Sequence, residues 1–317
     1  MAYTQRIRGE RGENLESAIH AYSLALQVRT CTDFPVDWAK TQNNLGNAYI
    51  YRVYGDKGEN LERAINCFYQ SLKIYTKYNF PVDWATTQNN LGNAYRERIK
   101  GDKEENLEMA IACFEMALTV YTQQDFPLKW AEIQNNLGNA YRQRIRGDKE
   151  ENLEMAIACF QRALTVYTRP DLPLQWAETQ NNLGNAYRER IKGDKAENLE
   201  RAIACLQLAL TVYTKQDLPL KWAETQNNLA IAYGSRIKGD KVENIEMAIR
   251  AFQNSLQIFT PENLPIECLT VSHNLGDLYF QKTEWQFAIE AYKIAISFKG
   301  ETRKNFPFSQ SSSFQGE

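Results

Sequence analysis

The sequence has few of the residues on which catalytic and metal sites depend. Only two histidines occur in 317 residues, His20 and His273, and the six cysteines form no CxxC pair. Spacing therefore excludes a zinc site of the Cys/His type. There is no glycine-rich phosphate loop and no nucleophile–histidine–acid set. We expect no enzymatic activity, no metal and no cofactor.

Long apolar runs and an excess of charge of one sign are also missing. No stretch approaches the ~18–20 apolar residues that cross a bilayer, and residues 1–14 are polar and arginine-rich, unlike a secretory signal. The net charge is −2, whereas nucleic-acid binders usually carry a basic excess. The composition predicts a cytoplasmic protein that binds neither membranes nor nucleic acid, with its cysteines as free buried thiols.

A repeat of 46 residues dominates the sequence. Residues 106–151 and 152–197 differ at only ten of 46 positions. Three residue types mark the period: Trp38, Trp84, Trp130, Trp176 and Trp222; Leu45, Leu91, Leu137, Leu183, Leu229 and Leu275; Cys67, Cys113, Cys159 and Cys205. The chain is therefore a tandem array, and the tryptophans are expected to pack between its units.

Each unit predicts two helices. The first runs from about Trp84 to Lys100, followed by a stop at Gly101 and a polar loop. Asn106 is the predicted N-cap of the second helix. An Asp or Asn before Phe-Pro or Leu-Pro, such as Asp125, is predicted to cap the next first helix. The apolar faces follow helical spacing: Trp84, Leu91, Gly92, Tyr95 and Ile99 in the first helix, and Leu107, Ala110, Ile111, Phe114, Leu118 and Tyr121 in the second.

Glycine recurs inside the first helices, where it costs about 1 kcal/mol of helix propensity against alanine. Close helix–helix approach is the predicted reason, and Ala230 at the same position fits a site for small residues only. The series is Gly46, Gly92, Gly138, Gly184 and Gly276.

These residues resemble the tetratricopeptide repeat (TPR). Leu91-Gly92-x-x-Tyr95 and Ala110-x3-Phe114, with Ala117, match its pattern, although Gln88 stands at the usual tryptophan position. The usual repeat has about 34 residues, and longer arrays of this kind resemble those of kinesin light chain and of bacterial signalling proteins. The resemblance implies an all-α fold, a right-handed α-solenoid of stacked antiparallel helix hairpins whose first helices line a concave groove.

The expected organisation is one TPR-like array over residues 1–298. Residues 1–37 form an incomplete unit, because Ala2–Ile7 align with the middle of a later first helix, and residues 299–317 are a disordered tail. The tail's Phe306 and Phe308 are candidates to cover apolar surface of the last helix. Full units begin near residues 38, 84, 130, 176, 222 and 266.

Asparagines lie on the first helices opposite the Leu/Gly/Tyr stripe, although asparagine is a poor residue for helix interiors. Each amide offers donors and an acceptor to a peptide backbone, and the resemblance implies such a role, since asparagine ladders line the groove in O-linked N-acetylglucosamine transferase. The alternative is that the amides bridge adjacent repeats. The candidates are Asn43, Asn47, Asn89, Asn93, Asn135, Asn139, Asn181, Asn185 and Asn227. Toward the C-terminal end, Ile231 and Phe280 are expected to make the groove more apolar.

Two rows of arginine accompany the asparagines. Arg96, Arg142 and Arg188 would give the groove a cationic row for an acidic segment or a C-terminal carboxylate. Salt bridges to the next first helix are the alternative, with the partners Glu132, Glu178 and Glu224. The second row is predicted to be structural and to pair with aspartates four residues on: Arg52, Arg98, Arg144, Arg190 and Arg236.

The sequence thus predicts a non-catalytic scaffold that binds a protein or peptide partner in an Asn/Arg-lined groove. The alternative is an assembly or sensor module of a larger signalling system, which acts through its ends or through self-association.

Overall fold

The computed structural model describes residues 10–297 and shows thirteen α-helices and no strand within them. The predicted tail and the residues before Glu10 lie outside the described residues. The first helices of the hairpins are α2 Pro35–Ile50, α4 Pro81–Glu97, α6 Pro127–Gln143, α8 Pro173–Glu189, α10 Pro219–Gly234 and α12 Pro265–Gln281. The second helices are α1 Arg11–Val28, α3 Lys57–Ser71, α5 Lys103–Leu118, α7 Lys149–Leu164, α9 Lys195–Leu210, α11 Lys241–Leu256 and α13 Trp285–Ser297.

The helices form two compact units. Among the described residues, unit 1 comprises residues 10–172 with 190–192, and unit 2 comprises residues 173–189 with 193–297. Within each unit, a first helix packs mainly against the second helix that follows it, and successive hairpins stack. The predicted all-α solenoid of helix hairpins is confirmed.

The contact between the two helices of a hairpin explains the glycine series. Phe114 of α5 is fully buried, and its ring lies so close to α4 that a Cβ on Gly92 would be 2.7 Å from the ring atom Cε1. In unit 2, a Cβ on Gly184 would be 2.9 Å from Leu206 Cγ. The prediction of close helix approach is confirmed, and the approach lets an aromatic ring fill the interface without a void.

The hairpin loop corrects two sequence predictions. Gly101 has φ +77° and supplies the left-handed turn as expected. However, α5 begins at Lys103, and its N-cap is Asp102, whose carboxylate accepts a hydrogen bond from the Glu105 N–H at 2.9 Å. The equivalent aspartates cap α3, α7, α9 and α11 in the same way, at 2.8–2.9 Å. Asn106 is not the cap; it is buried in the first turn and donates to the Lys100 carbonyl at 2.9 Å.

Ile99 does not belong to the buried face of the first helix. Helix α4 ends at Glu97, and the Ile99 side chain in the loop is 62% exposed. The prediction extended the helix by three residues because the apolar spacing continues past its end.

The turn between hairpins confirms the role of proline and corrects that of the aspartate. Proline occupies the first helical position in α2, α4, α6, α10 and α12, where its missing N–H needs no partner. The N-cap residue is Phe126 for α6, without a side-chain cap. Asp125 instead accepts from the Thr122 hydroxyl at 2.7 Å and donates its own N–H back to that oxygen at 3.1 Å. The aspartate therefore closes the turn that precedes the helix.

An arginine–glutamate ladder joins consecutive hairpins. Arg144 Nε and Nη2 donate to Glu108 Oε1 and Oε2 at 2.7 and 2.8 Å, a bidentate pair. The structural role predicted for this arginine row is confirmed. The predicted partner is wrong, since aspartates such as Asp102 cap helices, and the glutamate comes from the preceding second helix. The other members are Arg52–Glu16, Arg98–Glu62, Arg190–Glu154 and Arg236–Glu200.

The repeated cysteines and tryptophans have packing roles. Cys67, Cys113, Cys159 and Cys205 are buried and free, and burial raises the pKa of Cys67 and Cys113 to about 12, which keeps these thiols protonated. Cys31 departs from the prediction because it is exposed. In unit 2, Trp176 and Trp222 pack against the buried cluster of Ala177, Ala209 and Tyr213, as predicted for packing between hairpins.

Candidate functional site

The predicted asparagines lie on the first helices at two positions four residues apart, and each position recurs from hairpin to hairpin. We call them the Asn89 row and the Asn93 row. In the first row, Asn89 and Asn135 are buried, and Asn43, Asn181 and Asn227 are half-buried. In the second, Asn139 and Asn185 are buried, and Asn47 and Asn93 are half-buried.

Side chains of the Asn89 row hold adjacent first helices together. Asn90 Nδ2 donates to Asn43 Oδ1 at 3.1 Å, and Asn136 Nδ2 donates to Asn89 Oδ1 at 3.2 Å. In unit 2, Asn228 Nδ2 donates to Asn181 Oδ1 at 3.1 Å.

Asn89 has a second partner across the same helix pair. Its Nδ2 donates to Glu132 Oε1 at 3.1 Å, so Asn89 both accepts from and donates to α6. Glu132 also pairs with Lys129 at 2.8 Å. A buried amide that is satisfied on both atoms fixes the register of two neighbouring helices.

Side chains of the Asn93 row are held much less. Asn139 Nδ2 donates to the Asn135 carbonyl of its own helix at 3.3 Å. Among the described residues, the side chains of Asn47, Asn93 and Asn185 have no hydrogen-bond partner, and the buried Asn185 Oδ1 lacks a donor.

One member of the Asn89 row departs from the bridging pattern. Asn227 Oδ1 on α10 is also buried without a donor among the described residues. Rotating the amide of Asn227 or Asn185 by 180° would exchange its oxygen and its nitrogen. The buried position would then hold an N–H group that lacks an acceptor instead of an oxygen that lacks a donor. In either orientation, each of these buried amides keeps one polar atom without a partner among the described residues.

The first arginine row lies one turn farther along the same helices. The side chains of Arg96 and Arg188 are 19% and 24% exposed. Their guanidinium groups approach the neighbouring residues Glu97 at 3.9 Å and Glu189 at 3.5 Å. These are long, partly exposed ion pairs, and a pair of this kind contributes little to stability.

The backbone carbonyls of these arginines accept hydrogen bonds from lysine side chains. Lys103, Lys149 and Lys195 each reach back from the start of the second helix to the carbonyl of the arginine seven residues earlier. The distances are 3.1, 2.8 and 2.7 Å. The lysine thereby satisfies a carbonyl at the C-terminal end of the first helix.

In unit 2, helices α10 and α12 carry different side chains at the positions of the asparagine and arginine rows. Ile231 replaces the asparagine on α10 and packs partly against the core. On α12, His273 lies 3.8 Å from Asp277, and Phe280 is exposed with its ring 4.9 Å from that of Trp285. The expected apolar change toward the C-terminal end is thus present on these helices.

Residues 10–297 bring no three His, Cys, Asp or Glu side chains together as metal ligands. In the same part of the chain, every helix is too short or too polar to reach across a bilayer.

Two family models match parts of the sequence. The Sel1 repeat matches residues 39–73, 85–119 and 131–165, so its matches begin 46 residues apart and each spans one hairpin. The soluble NSF attachment protein (SNAP) family matches residues 171–303. No curated protein matches the sequence.

Solved structures show the same fold at low sequence identity. The apo form of RapI is 15% identical, with 93% of this chain and 72% of that one covered and a TM-score of 0.63. A Rap protein complexed with Competence and Sporulation Factor is 12% identical over 92% and 79%, with a TM-score of 0.61. The Cut9–Hcn1 hetero-tetramer of the APC/C is 16% identical over 93% and 47%, with a TM-score of 0.59. The chain is a TPR-like helical repeat protein.

Proposed function

We propose that this chain is a non-catalytic interaction scaffold that holds an extended segment of a partner polypeptide along its first helices. The observation that carries the proposal is the contrast between the two asparagine rows. The Asn89 row is largely used to join helices, whereas Asn47, Asn93 and Asn185 have amides that no other described side chain holds.

The chemistry of the Asn93 row suits a peptide backbone. A peptide in extended conformation presents N–H and C=O groups alternately, and each free amide can pair with both. The amides recur once per hairpin, so several weak contacts can add up along one partner segment. Recognition of this kind depends little on the partner's side chains.

The arginine row gives the partner a preferred charge. Arg96 and Arg142 in unit 1, and Arg188 in unit 2, lie on the same helices as the amides, and Arg96 and Arg188 make long ion pairs with the adjoining Glu97 and Glu189. A guanidinium forks onto a carboxylate with two hydrogen bonds. We therefore propose an acidic segment or a C-terminal carboxylate in the partner. A Rap protein of the same fold was solved as a complex with Competence and Sporulation Factor, which supports a ligand-holding role for this fold.

Selection from a random peptide library tests the proposal. Peptides retained by the wild-type chain are synthesised, and their Kd is measured by fluorescence anisotropy. We expect the triple variant Asn47→Ala, Asn93→Ala, Asn139→Ala to bind at least about tenfold more weakly, because each backbone hydrogen bond contributes about 0.5–1.5 kcal/mol. We also expect acidic peptides to dominate the selection and their binding to weaken with salt.

Asn66→Ala is the matched control, since Asn66 is an exposed asparagine on the second helix α3. Circular dichroism confirms that each variant is folded. Peptides that bind the triple variant as well as the wild type would place recognition elsewhere and refute this proposal.

A second candidate function is assembly through the last hairpin. Helix α13 exposes an apolar surface that a packed helix would normally cover. Its exposed residues are Trp285, Phe287, Ile289 and Ile294. In this case we expect the mass from sedimentation equilibrium to rise with protein concentration, and the double variant Phe287→Lys, Ile289→Lys to remain monomeric. A constant monomer mass for the wild type would rule this function out.

A further inference from the structure

A cavity of about 250 Å³ lies at the loop between α10 and α11 in unit 2. Its walls come from the end of α10, the loop, the start of α11 and the end of α12. The lining residues that matter here are Gly234, Arg236, Ile237, Lys241, Ile245 and Gln281. None of them belongs to the asparagine rows.

The cavity occurs where the repeat loses a side chain. Gly234 stands at the position that Arg96, Arg142 and Arg188 occupy on the earlier first helices, and Ile50 occupies it on α2. A Cβ on Gly234 would meet only ordinary contacts, 3.7 Å from Leu278 Cδ2 and 4.0 Å from Ala248 Cβ. Its backbone does not require glycine, so the missing side chain leaves space without serving the fold.

The lysine at the start of α11 also lacks the partner that its equivalent has one repeat earlier. Lys195, one repeat earlier in unit 2, donates to the Arg188 carbonyl at 2.7 Å. Lys241 is its equivalent on α11, and within the described residues its ammonium has neither a hydrogen-bond acceptor nor a carboxylate partner. One wall of the cavity therefore carries an uncompensated positive charge.

The Lys241 ammonium is the main polar feature of the cavity, because the other cations at the cavity are paired with carboxylates. Arg236 is neutralised by Glu200, with Nε and Nη2 both 2.8 Å from the carboxylate. Lys238, beside the cavity, pairs with Glu197 at 3.1 Å. Ile245 is buried, whereas Ile237 is 61% exposed and gives the cavity an open aliphatic wall.

We propose that this cavity binds a short aliphatic carboxylate, with the carboxylate on Lys241 and the aliphatic body against Ile237 and Ile245. The volume corresponds to about eight water molecules at ~30 Å³ each, which suits a branched acid of about six carbons. A charged hydrogen bond at one end and apolar contact at the other is the usual design of small-ligand sites. The inference does not depend on the peptide-binding face, because it uses none of its residues.

Titration of the full chain with 4-methylpentanoate, followed by NMR of isoleucine methyl groups, tests the site. We expect saturable shifts at Ile237 and Ile245. The amide of the same acid has the same shape without the charge, and it should bind at least about tenfold more weakly. Equal binding of acid and amide, or no saturable shift with the acid, would overturn the proposal.

Three variants separate the site from unspecific effects. Gly234→Ile fills the space with a residue that α2 already carries there as Ile50, and it should abolish the shifts at Ile245. Lys241→Gln should weaken binding of the acid about tenfold while it leaves binding of the amide unchanged. Lys195→Gln is the control in the neighbouring repeat and should have no effect. Binding that survives Gly234→Ile would place the acid elsewhere and overturn the assignment.

The carboxylate can come from a free metabolite-sized acid or from the C-terminus of a polypeptide. A short peptide that ends in leucine with a free carboxylate, and the same peptide amidated, distinguish these sources. Tighter binding of the free-carboxylate peptide than of 4-methylpentanoate supports the cavity as a chain-terminus site. Binding of the small acid alone supports it as a small-molecule site.

Discussion

Replacement of Phe114 by alanine is expected to lower the free energy of unfolding of unit 1 by about 3–5 kcal/mol. The ring is fully buried between α4 and α5, and Gly92 lies close enough to it that no side chain fits between them. The alanine variant loses both the transfer free energy of the ring and the close packing around it. The glycine opposite cannot fill the void, because it has no side chain to move.

Urea unfolding followed by circular dichroism measures this loss. Hydrogen exchange of the α4 and α5 amides shows whether it is local, as expected in an array where each hairpin contacts only its neighbours. Phe114→Leu is the matched control and should cost less than about 1.5 kcal/mol, because the chain itself carries the fully buried Leu206 at this position in unit 2. A loss below about 1 kcal/mol for the alanine variant would show that the ring does not hold the hairpin together.

The arginine–glutamate ladder is expected to make the protein sensitive to acid. The hydrogen bonds from Arg144 hold the pKa of Glu108 below its usual value of 4.5. The pKa of Glu16, Glu62, Glu154 and Glu200 is lowered for the same reason. A carboxyl whose pKa is lower in the folded state stabilises the fold above its unfolded pKa. This stabilisation is lost as the pH falls through the folded value.

The expected size follows from the geometry of the pairs. The side chains of Arg144 and Glu108 are 26% and 23% exposed, so solvent screens them in part, and a bidentate pair of this kind contributes on the order of 1 kcal/mol. The triple variant Glu62→Gln, Glu108→Gln, Glu154→Gln should therefore be about 3 kcal/mol less stable than the wild type at pH 7. The two proteins should converge as the pH falls through the lowered pKa of the ladder glutamates, because protonated glutamate and glutamine are both neutral.

Urea midpoints of the wild type and the triple variant between pH 7 and pH 3 measure this convergence. The exposed residues Glu13, Glu105 and Glu151 offer a control triple variant, Glu→Gln, that should leave the difference between the two pH values nearly unchanged. A stability difference between ladder variant and wild type that is the same at both pH values would show that the pairs do not titrate as proposed.

The core of each hairpin was predictable from the sequence because it depends on local periodicity. Leu91, Gly92 and Phe114 recur at helical spacing, and only one packing arrangement explains a glycine repeated inside a helix. The hairpin ends were less predictable. Asp102 and Asn106 are both suitable N-cap residues, and the structure decides between them because Arg98 and the Lys100 carbonyl use the Asn106 amide.

The partners of charged residues could not be read from neighbouring positions. Arg98 pairs with Glu62, 36 residues earlier, and not with the aspartate four residues later. The arginines and the glutamates of the ladder recur with the same 46-residue period, so their pairing could have been suspected. The sequence also contains Asp and Glu series at other offsets, and only the stacking of hairpins brings one of them within reach.

The sequence by itself determined the repeat, the helix hairpin and the residues of its core, because these follow from the 46-residue period and from side-chain spacing along single helices. Only the tertiary structure decided which polar groups are already used. Asn89 and Asn93 are the same residue type one turn apart, yet Asn89 bonds to Asn136 of the next helix while the Asn93 amide has no such neighbour. That difference arises from how adjacent first helices pack, which the sequence of a single helix does not encode.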